Sequence, residues 1–197
     1  MSIVPAVIEE LAEHFARFPG VGRKSARRMA FYLLEQPRED VLNLAKKLVD
    51  VKDRISRCPV CNHITEEIPC RICSDPKRDA GLLCVVEDSM DVFSIEKTAS
   101  FRGRYHVLGG LISPLDGVGP DDLAIDSLIP RMESVREIIF AVNPSVEGDT
   151  TAFYMKKLVA DRDIKLSFLA RGIPMGSDLE YIDEATLTRA LEGRTEL

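Results

Sequence analysis

Four of the five cysteines fall within sixteen residues, as Cys58-x2-Cys61-x8-Cys70-x2-Cys73. Each Cys-x2-Cys pair makes a tight turn that aims two thiolates at one point, and two such turns supply the four sulfurs of a tetrahedral zinc site. The short connection predicts a compact knuckle rather than a long ribbon. With four Cys ligands no coordination position is left for a substrate, so Zn2+ here would be structural. Redox chemistry by one Cys pair is the competing reading. The fifth cysteine, Cys84, lies in an apolar run and reads as a small buried hydrophobe.

A second cluster is Phe18-Pro19-Gly20-Val21-Gly22-Arg23-Lys24-Ser25-Ala26, set between two helical patterns. Gly20 and Gly22 permit a tight backbone bend, which leaves the first amides of the next helix free to face an anion. Lys24, Arg27 and Arg28 lie within a turn or so of that end. Cations there oppose the helix dipole, so their presence implies an external anion. The segment resembles a helix-hairpin-helix motif, a binder of DNA backbone without regard to sequence, with Gly20, Gly22, Lys24, Arg27 and Arg28 as the contacting set. A plain helical hairpin with glycine used only for geometry is the alternative.

A third constellation pairs Glu87, after one apolar run, with Asn143–Asp149, after another. Its order resembles the Toprim fold of topoisomerases and primases, where one Glu and two paired acids hold magnesium. Here the paired positions are Asn143 and Ser145. Magnesium requires hard anionic oxygens, so the site is expected to be degenerate and non-catalytic. Glu147 and Asp149 are expected close to Glu87, where they could hold one ion weakly. A magnesium-dependent nuclease or primase is the runner-up reading.

Stretches of periodic sequence must carry these groups. Val4, Val7, Ile8, Leu11, Ala12 and Phe15 have helical spacing. A second helix is predicted over Ser25–Leu34 with Ala26, Met29, Ala30, Leu33 and Leu34 inward. A third is capped by Asp40, with Val41, Leu44, Ala45, Leu48, Val51 and Ile55 as its buried stripe. Residues 58–80 have no period. Apolar runs at Leu82–Val86, Tyr105–Leu108, Ile138–Val142 and Leu166–Leu169 predict buried parallel strands. Helices are predicted between them at Met90–Ala99, Leu123–Ser134 and Thr150–Asp161. Strand–helix alternation of this kind predicts an α/β sheet with its chemistry at the strands' carboxyl ends.

The chain of 197 residues is 45% hydrophobic and 29% charged, which is globular usage and excludes disorder as the main state. No run approaches a membrane span and no export signal opens it, so a cytoplasmic protein is expected. The net charge of −6 argues against indiscriminate polyanion binding. It hides a gradient: residues 1–57 hold 11 Lys/Arg against 8 Asp/Glu, whereas residues 81–197 hold 12 against 20. A basic head on an acidic body points to one localised anion site.

Taken in order, these pieces resemble the RecR family of bacterial recombination mediators over essentially the whole chain. The residues that carry the resemblance are Phe18–Ala26, the four cysteines, Val85–Asp88, Leu111–Pro120, Asn143–Ala152 and Ala170–Tyr181. It implies a multi-domain α/β protein: a helical helix-hairpin-helix domain (1–57), a four-cysteine zinc finger (58–80), a Toprim domain (81–171) and a subunit-exchanging C-terminal segment (172–197). It implies a homo-oligomeric, ring-like DNA clamp that acts with RecO and RecF to load RecA on strands coated by SSB, associating with the nucleoid when it acts on DNA. By the same resemblance Lys24 and Arg28 contact DNA, Cys58, Cys61, Cys70 and Cys73 bind zinc, and Glu87 and Glu147 contact partner proteins.

Overall fold

The computed structural model describes residues 3–170 and 172–194, so the segment expected over 172–197 is described to residue 194 only, and Arg171 within Ala170–Tyr181 lies outside the described residues. Two compact units divide between Ile55 and Ser56.

The first unit is built from α1 (Ala6–Phe15), α2 (Arg23–Leu34) and α3 (Arg38–Arg54). Its best-covered side chains are small: Ala12, Ala26 and Ala30 are buried. They let α1 and α2 pack closely, and Arg27 of α2 closes the pair by donating to Glu9 of α1 at 2.9 Å. The third helix differs from expectation in two ways. It begins at Arg38 behind Pro37, with no side-chain cap, and Asp40 lies inside its first turn. Proline's fixed φ suits that start, and the acid still favours the amino end of the dipole. Its apolar stripe is also not buried, since no residue of α3 is. Leu44 and Leu48 line an open apolar groove of about 490 Å3 with Val7, Leu11 and Leu34, and Val51 is exposed. Met29 and Leu34 of α2 are likewise exposed rather than inward. A unit this short has too little chain to cover both sides of its helices.

The second unit opens with a small hairpin, β1 (Ser56–Arg57) against β2 (Ile64–Thr65), and one helical turn, α4 (Arg71–Ser74). The sheet follows as β3 (Asp79–Val86), α5 (Ser89–Glu96), β4 (Gly103–Val107), β5 (Glu137–Ala141), α6 (Val146–Leu158) and β6 (Lys165–Phe168). All neighbours pair in parallel, in the order β4-β3-β5-β6. Alternate residues of β3 serve opposite faces. Leu83 and Val85 join Ile138, Phe140, Leu128, Met132 and Met155 on one side, and Cys84 and Val86 join Val92, Tyr105 and Val107 on the other. Burial on both faces is why β3 and β5 read as apolar runs, whereas the strand expected to be buried over Leu166–Leu169 forms as edge strand β6 with no buried residue and with Phe168 and Leu169 exposed.

The helix predicted over Leu123–Ser134 is absent. That stretch forms turns and one 3-10 segment, Ile129–Ser134, because Pro130 lacks the amide an α-helix needs there. Its apolar residues remain anchors: Leu123, Ile125, Leu128 and Met132 are buried. Near the carboxyl end α7 (Glu184–Glu192) is capped by Asp183, and none of its residues is buried.

One polar clasp binds the lower sheet together. Arg78 donates to Glu96 Oε1 at 2.9 Å and to the carbonyl of Gly103, and the hydroxyl of Tyr105 donates to the same Glu96 oxygen at 2.6 Å. The Arg78 hydrogen bonds hold the Glu96 carboxyl below its ordinary range, against the opposing effect of burial. A lowered carboxyl pKa contributes stability that is present above the unfolded value and lost as pH falls through the folded one. Glu96→Gln should therefore destabilise the protein by about 2 kcal/mol at neutral pH in urea titrations. The gap from wild type should shrink on acidification below the usual carboxylate range.

Candidate nucleic-acid interface and metal centre

The first Cys pair sits in the turn between β1 and β2. The Cys58 amide donates to the His63 carbonyl and the Asn62 amide to the Cys58 carbonyl, both at 2.8 Å, with Asn62 in the left-handed region at φ 61°. The second pair spans α4, where Cys70 is the cap residue and its sulfur accepts from the Cys73 amide. The two turns bring all four Sγ atoms within 4.8 Å of one another, with Cys58, Cys61 and Cys70 buried. Cys61 and Cys70 sulfurs are 3.5 Å apart. Zn–S bonds of about 2.3 Å in a tetrahedron give an edge of about 3.8 Å, so the cluster fits zinc.

Burial raises the Cys58 thiol, but amides of Cys70, Cys61 and Val60 and a hydrogen bond with Cys61 outweigh it and hold the thiol at about 7. Cys70 is pushed up to about 11, first by burial. Cys61 is raised further, first by its hydrogen bond with Cys73 and then by burial. The sulfurs thus resist full ionisation together unless a cation lies among them, and a divalent ion supplies that charge and cross-links the two turns.

The knuckle is also fastened to the sheet. Val107 of β4 donates its amide to the Cys61 carbonyl at 2.9 Å, and Asn62 Nδ2 donates to the Val107 carbonyl at 2.9 Å. Beside them Arg131 donates to the Tyr105 carbonyl at 2.7 Å and to His106 Nδ1 at 2.9 Å. Burial drives the His106 pKa down to about 4, so the ring is neutral, accepts from Arg131 and donates Nε2–H to the Ala124 carbonyl. Burial lowers the Arg131 pKa, and the Cys73, Cys61 and Cys58 thiolates oppose that shift. Arg131 thus ties β4 to the segment before β5 within the field of the cysteine cluster, and no local spacing could have revealed it.

At the hairpin, Gly20 has φ +77° and Gly22 precedes α2 without offering any side-chain cap. No acid stands in the first turn of α2. Lys24 and Arg28 line an open groove of about 1380 Å3 with Arg17, Arg23, Phe31 and Tyr32. Arg27 lines it too, and its guanidinium also pairs with Glu9, bracing α1 against α2.

At the carboxyl ends of adjacent β3 and β5, Asn143 Nδ2 donates to Glu87 Oε2 at 3.2 Å. Burial raises the Glu87 pKa, the Asn143 hydrogen bond counters it, and Asp91 and Asp88 add to the rise. Ser145 caps α6 by accepting from the Gly148 amide at 3.1 Å. A Cβ at Gly148 would stand 2.2 Å from the Asn143 carbonyl, so this close turn requires glycine. Asp88 and Asp91 form the capping box of α5. Glu87, Glu147 and Asp149 do not come together as a three-ligand group: among the described residues the four cysteines are the only cluster of that size. Glu147 and Asp149 occupy the first turn of α6, and Asp149 Oδ2 lies 3.9 Å from Arg189 of α7.

Known families match along the whole chain: the RecR helix-hairpin-helix at residues 8–52, the RecR four-cysteine zinc finger domain at 55–75, the Toprim domain at 81–170, and the RecR C-terminal segment at 172–195. The "Recombination protein RecR" of Chlorobium luteolum is 53% identical over 195 residues, covering 95% of this chain and 96% of that protein. The chain belongs to the RecR family. Proteins of the same name from Chlorobium phaeovibrioides and Chloroherpeton thalassium are 51% and 50% identical, covering 99% and 96% of this chain and 99% and 97% of their own lengths. It is a RecR-type recombination protein with a structural zinc site at Cys58, Cys61, Cys70 and Cys73. Its Toprim domain is non-catalytic, as Asn143 satisfies Glu87 where a metal-binding acid would stand. No described helix is long and apolar enough to cross a membrane.

Cys70→Ser should remove zinc, measured by metal analysis, and lower the melting temperature in the same preparation. Normal stability without zinc would refute a structural role. Asn143→Asp should create a carboxylate pair with Glu87, so that millimolar magnesium raises the melting temperature of the variant and leaves wild type unchanged.

Proposed function

We propose that this RecR-family protein is a DNA-binding recombination mediator that grips the sugar–phosphate backbone through the α1–α2 hairpin. The observation that carries the reading is the start of α2. Its first turn has no side-chain cap and no acid, while Lys24 and Arg28 line an open groove, shared with Glu9 and Glu13 of α1, and have no ion-pair partner among the described residues. A helix start of that kind favours phosphate oxygens.

In this reading residues 1–57 bind DNA, 58–80 form the zinc finger, 81–171 the Toprim domain, and 172–197 exchanges between subunits. The open apolar groove of the first unit and the unburied α7 both favour a homo-oligomer. Several modest basic sites in one ring act together through high effective concentration, which reconciles a net-acidic subunit with DNA binding. Glu87 and Glu147, freed from metal chemistry, serve contacts with RecO and RecF, through which RecA is loaded on strands coated by SSB. The protein acts in the cytoplasm, at the nucleoid when on DNA.

Lys24→Ala with Arg28→Ala should weaken DNA binding at least tenfold at low salt, nearly independent of sequence. It should also reduce the slope of log K against log salt by about 2, one for each phosphate no longer neutralised. Fluorescence anisotropy over a salt series measures both. A double variant that binds as wild type with its helices intact would dismiss the hairpin.

A further inference from the structure

The groove that holds the hairpin cations is not uniform along α2. Lys24, Arg28 and Tyr32 follow one another at intervals of four, so they form one stripe, with Phe31 beside Tyr32 and Glu35 beyond. All five line the same groove. Tyr32 is 62% exposed and Phe31 42%. Among the described residues neither ring stacks on another aromatic, and the hydroxyl of Tyr32 has no hydrogen-bond partner. Large aromatic side chains left this open forgo burial that a core position would give.

The chemistry is graded in the direction of the helix. Along α2, cations occupy the first turns, aromatic rings come about 6 Å further along the axis from Arg28, and Glu35 closes the far end; Glu9, paired with Arg27, and Glu13 of α1 also line the groove. A phosphate chain is attracted at the first step and repelled at the last. Between them lies a flat apolar surface suited to the face of a base. A duplex keeps its bases stacked inside and offers this surface only phosphates, whereas an unpaired strand can lay a base on a ring. Basic grooves with exposed aromatics bind single strands in this way, and stacking is tolerant of sequence because every base has a π-face.

We propose that Tyr32, with Phe31 beside it, is a stacking platform for unpaired bases, which makes the groove favour single-stranded over double-stranded DNA. The inference rests on the hairpin as the phosphate-binding element and adds the class of strand it selects.

The test compares an oligothymidylate with a blunt duplex of mixed sequence, by anisotropy at one salt concentration. Tyr32→Ala should weaken oligothymidylate binding about tenfold and leave duplex binding within about twofold. Tyr32→Phe should bind both as wild type does. The chain contains no tryptophan, so the indole introduced by Tyr32→Trp reports directly: its emission should be quenched by oligothymidylate and not by duplex. Unchanged single-strand affinity in Tyr32→Ala, an equal loss on both DNAs, or an indole indifferent to oligothymidylate would each overturn the platform. Lys24→Ala with Arg28→Ala separates the two ideas. If that variant loses both DNAs while Tyr32→Ala loses neither, the platform alone falls; if it binds both as wild type does, the hairpin itself is wrong.

Discussion

Four sulfur atoms held within 4.8 Å of one another cannot all ionise without a cation among them. That constraint organises the start of the larger unit. A metal ion turns a repulsive cluster into a cross-link between a two-stranded hairpin and a single helical turn, neither of which buries enough apolar surface to stand alone. The knuckle then docks on Val107 through Cys61 and Asn62. β4 is the edge strand of the parallel sheet, so the metal site also covers backbone groups that an exposed edge would leave open to unwanted pairing. Arg131 and the neutral His106 extend the link into the irregular segment between β4 and β5. Zinc and sheet support one another.

The opposite situation holds at the carboxyl ends of β3 and β5. A Toprim frame normally gathers carboxylates there and relies on magnesium to hold them together. Here Asn143 supplies an N–H to Glu87, and Ser145 supplies a cap to α6. Each replacement gives the frame a hydrogen bond where the metal-binding version has a charge. The surrounding acids are committed as well, Asp88 and Asp91 to α5. The Asn143–Glu87 bond ties the ends of β3 and β5 together without a charge pair.

The central strands β3 and β5 were legible in the sequence because both faces of the sheet are buried there, and the zinc ligands because all four lie in one short, closely spaced stretch; the edge strand β6 pairs as expected but is not buried. Other features were not legible for physical reasons. Helical periodicity says which side of α3 is apolar, but not whether anything covers it, and the structure leaves Leu48 and Val51 exposed. The segment 123–134 has helical spacing of apolar residues, yet Pro130 breaks the hydrogen-bond ladder while the same residues still reach the core. Lys24, Arg27 and Arg28 look equivalent as letters, and only the packing of α1 shows that Glu9 has taken one of them. Arg131 came from far along the chain and carried no motif at all.

That last distinction bears on how strong the hairpin can be. With Arg27 engaged, a single hairpin offers only a few free cations to phosphate, so its affinity should be modest and steeply sensitive to salt. An acidic remainder of the chain adds no attraction for DNA, and repels a strand that strays from the groove. Such a site is strong only when several copies engage one strand at once, since tethering multiplies weak contacts without new ones. It also lets go easily when any copy is displaced, so a mediator built on this hairpin would trade tight binding for reversibility.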